Sequence, residues 1–243
     1  MSSHPGENAW RQFIHKIFTA VPRHYDLINR IMTWGLDGRW RRKAARECLL
    51  SQPGRLLDLG CGTGDFTIEL TRQARNSSVV IGIDFSWTML KIAVQKGKRL
   101  HNNGRLSFVH GDAADMPFPK GYFNSIVTSF AFRNLTYNNP LLRNYIAEVL
   151  RVLSTGGRFI ILETSQPKSR FIRKLYHLYM CYFIFWLGYL ISGSREAYRY
   201  LAESVTYYYS PEELKQVLLG VGFQQVSFRR FLFGVVSIHI ATK

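Results

Sequence analysis

LLDLGCGTGDFTIEL, residues 56–70, holds the first clear strand of the chain and runs directly into a helix. A short apolar run feeds a turn with glycines at 60, 62 and 64, and DFTIEL continues with helical spacing. Small residues between a strand and a helix let a backbone come close to a ligand. The order G-C-G-T-G-D is not the GxGxxG dinucleotide fingerprint, because the third glycine arrives one residue early. Nor is it the GxxxxGK[ST] phosphate loop. Alone, the turn fits either a ligand cradle or a purely structural tight turn.

Outward from this turn the chain alternates strand and helix. RLLDL and the helical DFTIELTRQAR are followed by the strand SVVIGIDF and the amphipathic SWTMLKIAVQKGKRL. LSFVHGD gives a third strand and SIVTSFAF a fourth, then PLLRNYIAEVLRVL reads as a helix ended by Thr155-Gly156-Gly157. RFIILET is the fifth strand. This rhythm predicts a mostly parallel sheet with helices on both faces. SPEELKQVLLGVGF is a helix with Ser210 as N-cap and Glu213 as its capping-box partner. QQVSFRRFLFGVVSIHIATK predicts an antiparallel hairpin at the sheet edge, turning near Phe233-Gly234. Upstream, residues 8–50 read as a helical cap: WRQFIHKIFTAV is ended or kinked by Pro22, and YDLINRIMTWGLD leads to the basic RWRRKAARECLL. One domain, 1–243, is the economical division.

Residues 168–209 break the rhythm. KSRFIRKLYHLYMCYFIFWLGYLISG is apolar and aromatic, with Arg170, Arg173, Lys174 and His177 interrupting its start. Its cleanest apolar run, 178–191, has 14 residues, short of the ~20 that span a bilayer. A transmembrane helix is thereby the lesser reading, behind a buried helical insertion or an interfacial helix edged by basic residues. SREAYRYLAESVTYYY adds another helix.

Bulk properties narrow the function. With 47% hydrophobic and 14% aromatic residues, the 243-residue chain fills a core and is not a disordered tail. Thirty-two Lys and Arg against sixteen Asp and Glu give +16, a field that favours nucleic acid, an anionic membrane or an anionic substrate. Cys48, Cys61 and Cys181 are odd in number and far apart, which fits a reducing compartment and neither a disulfide framework nor a CxxC metal pattern. No metal site is expected. MSSHPGENAW lacks the apolar core of a signal peptide, so the expected location is cytoplasmic.

The next strand ends decide between cradle and plain turn. IGIDFS places Asp84 about 20 residues beyond the glycines, where a carboxylate accepts hydrogen bonds from ribose hydroxyls. The third strand ends at Gly111-Asp112-Ala113, where Asp112 can accept from an adenine amino group. Two carboxylates at successive strand ends beside a glycine turn favour a nucleoside ligand over a pair of helix caps. Cys61, inside the turn, has no base or metal partner in sequence and reads as packing. His110, beside Asp112, is a lesser catalytic candidate.

With Asp84 and the GDAADMPFP loop, this run resembles the class I methyltransferases that use S-adenosylmethionine. Further segments resemble one subgroup, the menaquinone and ubiquinone C-methyltransferases of quinone biosynthesis. YDLINRIMTWGLDGRW, residues 25–40, is similar to that family's first signature at Tyr25, Asp26, Asn29, Gly35 and Trp40. SFAFRNL, residues 129–135, resembles its Ser-Phe-Gly-Leu-Arg-Asn segment. RVLSTGGRFIILETS, residues 151–165, matches its second signature at Arg151, Val152, Gly156, Gly157, Glu163 and Ser165, and AYRYLAESV, residues 197–205, is similar as well. The chain departs from the pattern at Ile28, Thr33 and Asp37, where the family has Met, Ser and His, and at Ser154-Thr155, where it has Lys-Pro.

The resemblance implies a Rossmann-like fold with a seven-stranded sheet. It implies S-adenosylmethionine on Gly60, Gly62, Thr63, Gly64, Asp84, Asp112, Ala113 and Ser129. Arg133, Tyr25, Asp26 and Asp37 become the catalytic candidates, with Asn29, Asn134 and Tyr200 facing the substrate. The implied reaction is C-methylation of a reduced polyprenylated quinone precursor, demethylmenaquinol ahead of the ubiquinone-pathway benzoquinol. A small-molecule O- or N-methyltransferase and a noncatalytic membrane adaptor are the rival readings. An RNA methyltransferase suits the charge, but the basic residues are scattered and no RNA-binding motif is present, so no nucleic-acid partner is expected. Such a substrate implies peripheral contact with the anionic inner face of a membrane. The oligomeric state is left open, a homodimer included.

Overall fold

The computed structural model describes residues 12–14, 16–17, 22–50, 54–100 and 104–243, and the side chains of 22–25 lie outside that description. Seven strands form one sheet: β1 (Arg55–Leu59), β2 (Val79–Asp84), β3 (Leu106–His110), β4 (Phe123–Ser129), β5 (Leu153–Thr164), β6 (Gln225–Phe231) and β7 (Val236–Thr242). Their order is β3-β2-β1-β4-β5-β7-β6. The first five pair in parallel, and β7 lies antiparallel between β5 and β6. The expected hairpin at the edge is therefore present, turning through Leu232–Gly234. The order reverses between β1 and β4, and a crevice opens beyond the carboxyl ends of strands at such a reversal.

The helices are α1 (Pro22–Met32), α2 (Asp37–Leu49), α3 (Asp65–Gln73), α4 (Trp87–Gly97), α5 (Phe132–Thr136), α6 (Leu142–Val152), α7 (Arg170–Leu178), α8 (Phe185–Ser192), α9 (Arg195–Thr206) and α10 (Pro211–Val221). A π-helical stretch, Tyr179–Ile184, joins α7 to α8. The period-2 alternation of the central strands sends neighbouring residues to opposite faces. Leu57, Ile81, Ile126 and Phe159 pack with Ile146, Val149 and Leu214 of α6 and α10. Leu56, Val80, Val127 and Ile160 face Trp40, Ala44 and Ala45 of α2 and Phe66 and Leu70 of α3. Ser210 and Glu213 cap α10 reciprocally, as the sequence predicts.

Pro22 opens α1, a position where its missing N–H costs nothing; of 10–21, only 12–14 and 16–17 are described, all helical, and the expected end of that element lies outside the described residues. Three boundaries differ from the sequence reading. β4 stops at Ser129, because Phe130 turns the chain at φ +57 and α5 starts at Phe132. α6 ends at Val152, and Ser154–Gly157 stays within β5 as an irregular loop of strand. Gly156 N–H donates to the Lys243 carbonyl (3.0 Å) and Lys243 N–H to that of Gly157 (3.1 Å), so the end of β7 keeps this segment paired. Finally, 170–192 is one continuous helix, longer than its clean apolar run.

His239 of β7 is wholly buried. Its Nε2–H donates to the Pro211 carbonyl (3.0 Å), and its Nδ1 accepts from the Ser237 hydroxyl (3.4 Å). Burial pushes the imidazole down from 6.5 to about 4. A lowered folded-state pKa contributes stability above 6.5 that is lost as pH falls through about 4. A His239→Gln variant is expected to show a flatter melting temperature between those pH values than wild type. Circular-dichroism melts that run parallel for both proteins would contradict it.

Candidate active site

The chain leaves β1 through a turn anchored on its neighbour. Gly60 and Cys61 N–H both donate to the Ile83 carbonyl, at 2.9 and 3.0 Å. All three glycines have positive φ: +71 at Gly60, +53 at Gly62 and +81 at Gly64. Their surroundings differ. A Cβ at Gly60 would lie 2.7 Å from the Ala131 Cβ, and one at Gly64 2.8 Å from that of Ala93, whereas nothing lies within 4 Å at Gly62. Gly60 and Gly64 thus permit close packing, and Gly62 leaves open space. Cys61 is buried and packs inside the turn, and burial beside Asp84 and Asp58 holds its thiol well above the usual range.

Asp84 fixes the open side of the turn. Its Oδ2 accepts the Gly62 N–H at 2.7 Å and its Oδ1 the Ser86 N–H at 2.8 Å. Burial raises its pKa, and these two donors act against that shift. Around it lies a cavity of about 470 Å³ at the ends of β1, β2, β3 and β4. Gly60, Gly62, Asp84, Asp112, Ala113 and Asn134 line it, with Ile83, Met89 and Leu135 as apolar walls and Gln12, Ile14 and Lys16 on the cap side. Two carboxylates set among apolar walls suit a ligand that carries hydroxyls and an amine on a flat apolar body. Asp112 Oδ1 also accepts from Ala114 N–H (2.8 Å).

Thr63 and Gly64 border this space from outside. Thr63 is buried, and its hydroxyl donates to Asp26 Oδ1 of α1 (2.7 Å). Asp26 Oδ2 meets the Lys96 ammonium at 2.7 Å, and Lys96 also holds Asp65 at 2.5 Å. Arg41 reaches Asp65 (3.6 Å) and Asp37 (3.4 Å). Asp26, the catalytic candidate, thereby ties the cap to the glycine turn with both oxygens engaged. Asp37 accepts from the Thr33 hydroxyl (3.3 Å) and lines neither cavity described in this section.

A second, smaller cavity of about 50 Å³ adjoins the first, with Asn134 in both walls. Asn29, Arg133, Glu163 and Tyr200 face it among Ile28, Met32, Phe130 and Leu201. Arg133 is 4% exposed and Glu163 fully buried. Glu163 accepts the Arg133 backbone N–H (3.0 Å) and the Thr164 N–H (2.8 Å) and hydroxyl (3.0 Å). The Arg133 Nε lies 3.8 Å from the same carboxylate, and its Nη1 donates to the Ser204 hydroxyl of α9. Removing one member of such a buried pair costs about 3–5 kcal/mol. Asn29 Nδ2, Asn134 Oδ1 and Arg133 Nε are buried with no hydrogen-bond partner among the described residues. Buried polar groups are normally satisfied, so these atoms suit a polar ligand or water. Burial pushes the Tyr200 phenol up to about 12, which keeps it protonated near neutrality.

Nine of the fifteen predicted residues line the two adjoining cavities: Gly60, Gly62, Asp84, Asp112, Ala113, Asn134, Asn29, Arg133 and Tyr200. Ser129 ends β4 outside both, its hydroxyl buried and without a partner among the described residues. The side chain of Tyr25 lies outside the described residues, and its backbone belongs to α1. His110 Nε2 donates to the Phe85 carbonyl (2.8 Å) and lines neither cavity. Sequence reasoning missed Lys96, which carries no motif, and gave no role to Asp65, Ser204 or Glu163, though all three stand in quoted segments.

Replacing Asp26 by Ala removes the acceptor of the Thr63 hydroxyl and one partner of Lys96. Amide hydrogen exchange at residues 60–66 is expected to accelerate, roughly fivefold for a latch worth about 1 kcal/mol. Unchanged protection by mass spectrometry would contradict the latch.

The chain is similar to known proteins over nearly its whole length. Residues 7–243 match the ubiE/COQ5 methyltransferase family. A demethylmenaquinone methyltransferase of Deinococcus radiodurans is 37% identical over 96% of this chain and 93% of its own. One of Thermus thermophilus is 38% identical over 93% and 100%. The ubiquinone/menaquinone biosynthesis C-methyltransferase of Geobacter sulfurreducens is 35% identical over 95% and 88%. Among solved structures, an S-adenosylmethionine-dependent methyltransferase assigned as putative in Methanococcus maripaludis superposes with TM-score 0.58 at 19% identity, covering 90% of this chain and 91% of that one. A [4+2]-cyclase, SpnF, reaches TM-score 0.64 at 18% identity over 86% and 82%, so that likeness concerns the fold alone. The chain belongs to the ubiE/COQ5 methyltransferase family and is an S-adenosylmethionine-dependent methyltransferase of the class I fold.

Proposed function

We propose that this enzyme methylates a ring carbon of a reduced polyprenylated quinone precursor, with demethylmenaquinol as acceptor. The supporting observation is the pair of cavities that meet at Asn134, one large with carboxylates at strand ends, one small with a buried guanidinium. The names of the Deinococcus and Thermus relatives point to the same acceptor.

Bound S-adenosylmethionine supplies an electrophilic methyl group on a sulfonium. In this assignment Asp84 holds the ribose hydroxyls with the lone pairs left free by Gly62 and Ser86. Asp112 and Ala113 hold the adenine side, and the backbone at Gly60 and Gly62 approaches the methionine part. Thr63, Gly64 and Ser129 support the turn and the end of β4. The acceptor ring sits where the two cavities meet at Asn134, its reacting edge toward Asn29, Arg133 and Tyr200, and alignment of the reacting carbon supplies much of the barrier reduction.

Arg133 stabilises the phenolate that forms when a quinol hydroxyl ionises, which raises electron density on the neighbouring ring carbon. Arg stays protonated and is not the base. Glu163 is consumed by Arg133 and Thr164, and Asp26 by Thr63 and Lys96. We assign the departing proton to a water held at the Asn29 and Asn134 amides. Tyr25 and Asp26 close the cap, and Asp37 orders Arg41 behind them. A lipid-soluble acceptor makes the membrane its source, and the enzyme works peripherally at the cytoplasmic, anionic face.

Purified protein, labelled S-adenosylmethionine and reduced demethylmenaquinone are expected to give label on a ring carbon. No transfer under conditions that support cofactor binding would sink the assignment, and a faster demethoxy-type benzoquinol would move it to the ubiquinone pathway. Arg133→Gln is expected to lower kcat roughly 10²–10³-fold with S-adenosylhomocysteine affinity within about twofold. An unchanged kcat would refute the role of the guanidinium.

A further inference from the structure

The helix from Arg170 to Ser192 runs 23 residues and is 22% buried over its most apolar window. Its inward side is regular: Tyr176, Met180, Ile184 and Gly188 are buried at four-residue spacing. The wider turns of the π stretch keep that spacing on one face. A Cβ at Gly188 would lie 2.2 Å from the Tyr198 ring, so glycine lets α9 seat closely against it. This side is fastened to its own protein.

Among the described residues the outward side has no such cover. Phe171, Leu175, Leu178, Tyr182, Trp186 and Leu190 form an exposed apolar stripe along the whole helix, about 34 Å long at 1.5 Å per residue. Beside its first half, Arg170, Arg173, Lys174 and His177 line a surface depression of about 380 Å³. Arg170, Arg173 and Lys174 make no ion pair with any described residue. The cap joins the same surface. Trp34, 75% exposed, donates its indole N–H to the Tyr179 hydroxyl (3.0 Å), which donates to the Ile31 carbonyl (3.2 Å).

We propose that this face is the membrane-docking surface of the enzyme. The helix lies in the plane of an anionic bilayer, its aromatic stripe among the acyl chains and Arg170, Arg173 and Lys174 on headgroup phosphates. Trp34 extends the footprint onto the cap. Charge complementarity selects anionic lipid over a protein partner: unpaired cations border the stripe, in a chain of net charge +16. A spanning orientation is excluded by the inward side, which would surrender its packing on Tyr198, Val205 and Met32. The use of this surface rests on the polyprenyl acceptor proposed above, since Met32 also lines the smaller cavity.

Vesicles of phosphatidylcholine, with and without phosphatidylglycerol, test it with the full-length protein. Flotation is expected only with phosphatidylglycerol at low salt, and the R170E/R173E/K174E variant should partition roughly 100-fold more weakly. Brominated acyl chains should quench fluorescence less in the Trp186→Phe and Trp34→Phe variants, and equally in Trp87→Phe. Equal binding to neutral vesicles, competition by free inorganic phosphate as strong as by lipid, or resistance to alkaline extraction would each overturn the proposal. The charge variant should still methylate a water-soluble short-chain demethylmenaquinol at the wild-type rate. If wild type floats but methylates neither acceptor, the docking surface stands and the proposed reaction fails.

Discussion

The carboxylate of Asp84, accepting the Gly62 and Ser86 N–H groups at 2.7 and 2.8 Å, is the constraint on which the site depends. It joins the turn after β1 to the end of β2 and sets the side of the turn that no side chain fills. Burial opposes its charge, and the backbone donors offset part of that cost. A carboxylate held this way keeps lone pairs directed into the cavity while its own position is fixed. The parallel register of β1 with β2 and β4 carries the same constraint across the reversal in strand order.

Two segments outside the sheet complete the site by different physics. The cap is tied down by charge, through Asp26, Lys96 and Asp65, all partly exposed. The helix 170–192 is held by packing, through Tyr176, Met180 and Ile184 against Met32 and Val205. Ion pairs of this exposure contribute little each, whereas buried aromatic and aliphatic contacts hold firmly. The cap packs as well, through Ile28, Met32 and Trp40, so its ion pairs add to apolar contact at the glycine turn. Ser204 and Arg133 connect that helical region to the small cavity.

Much of this was legible in the residues. Glycine at positive φ and Asp at a strand end are local requirements, so the turn, Asp84 and Asp112 could be read directly. The two faces of the sheet followed from alternation in the strands. What escaped was set by partners distant in sequence. Lys96 meets Asp26 across 70 positions, and no local pattern marks that meeting. Thr155-Gly156-Gly157 resembles a helix stop, yet the end of β7 keeps it in the sheet. SIVTSFAF reads as one strand because nothing local announces the positive φ of Phe130. The helix 170–192 left burial and exposure open, because composition reports apolarity and not which side a fold covers.

The central claim is that the strand-end cavity holds the cofactor's nucleoside on Asp84 and Asp112. A crystal structure of the complex with S-adenosylhomocysteine tests it most directly. The account predicts ribose hydroxyls within hydrogen-bond distance of the Asp84 carboxylate, adenine against Asp112 and Ala113, and the sulfur directed toward Asn134. A nucleoside bound elsewhere, or with its ribose turned away from Asp84, would contradict it.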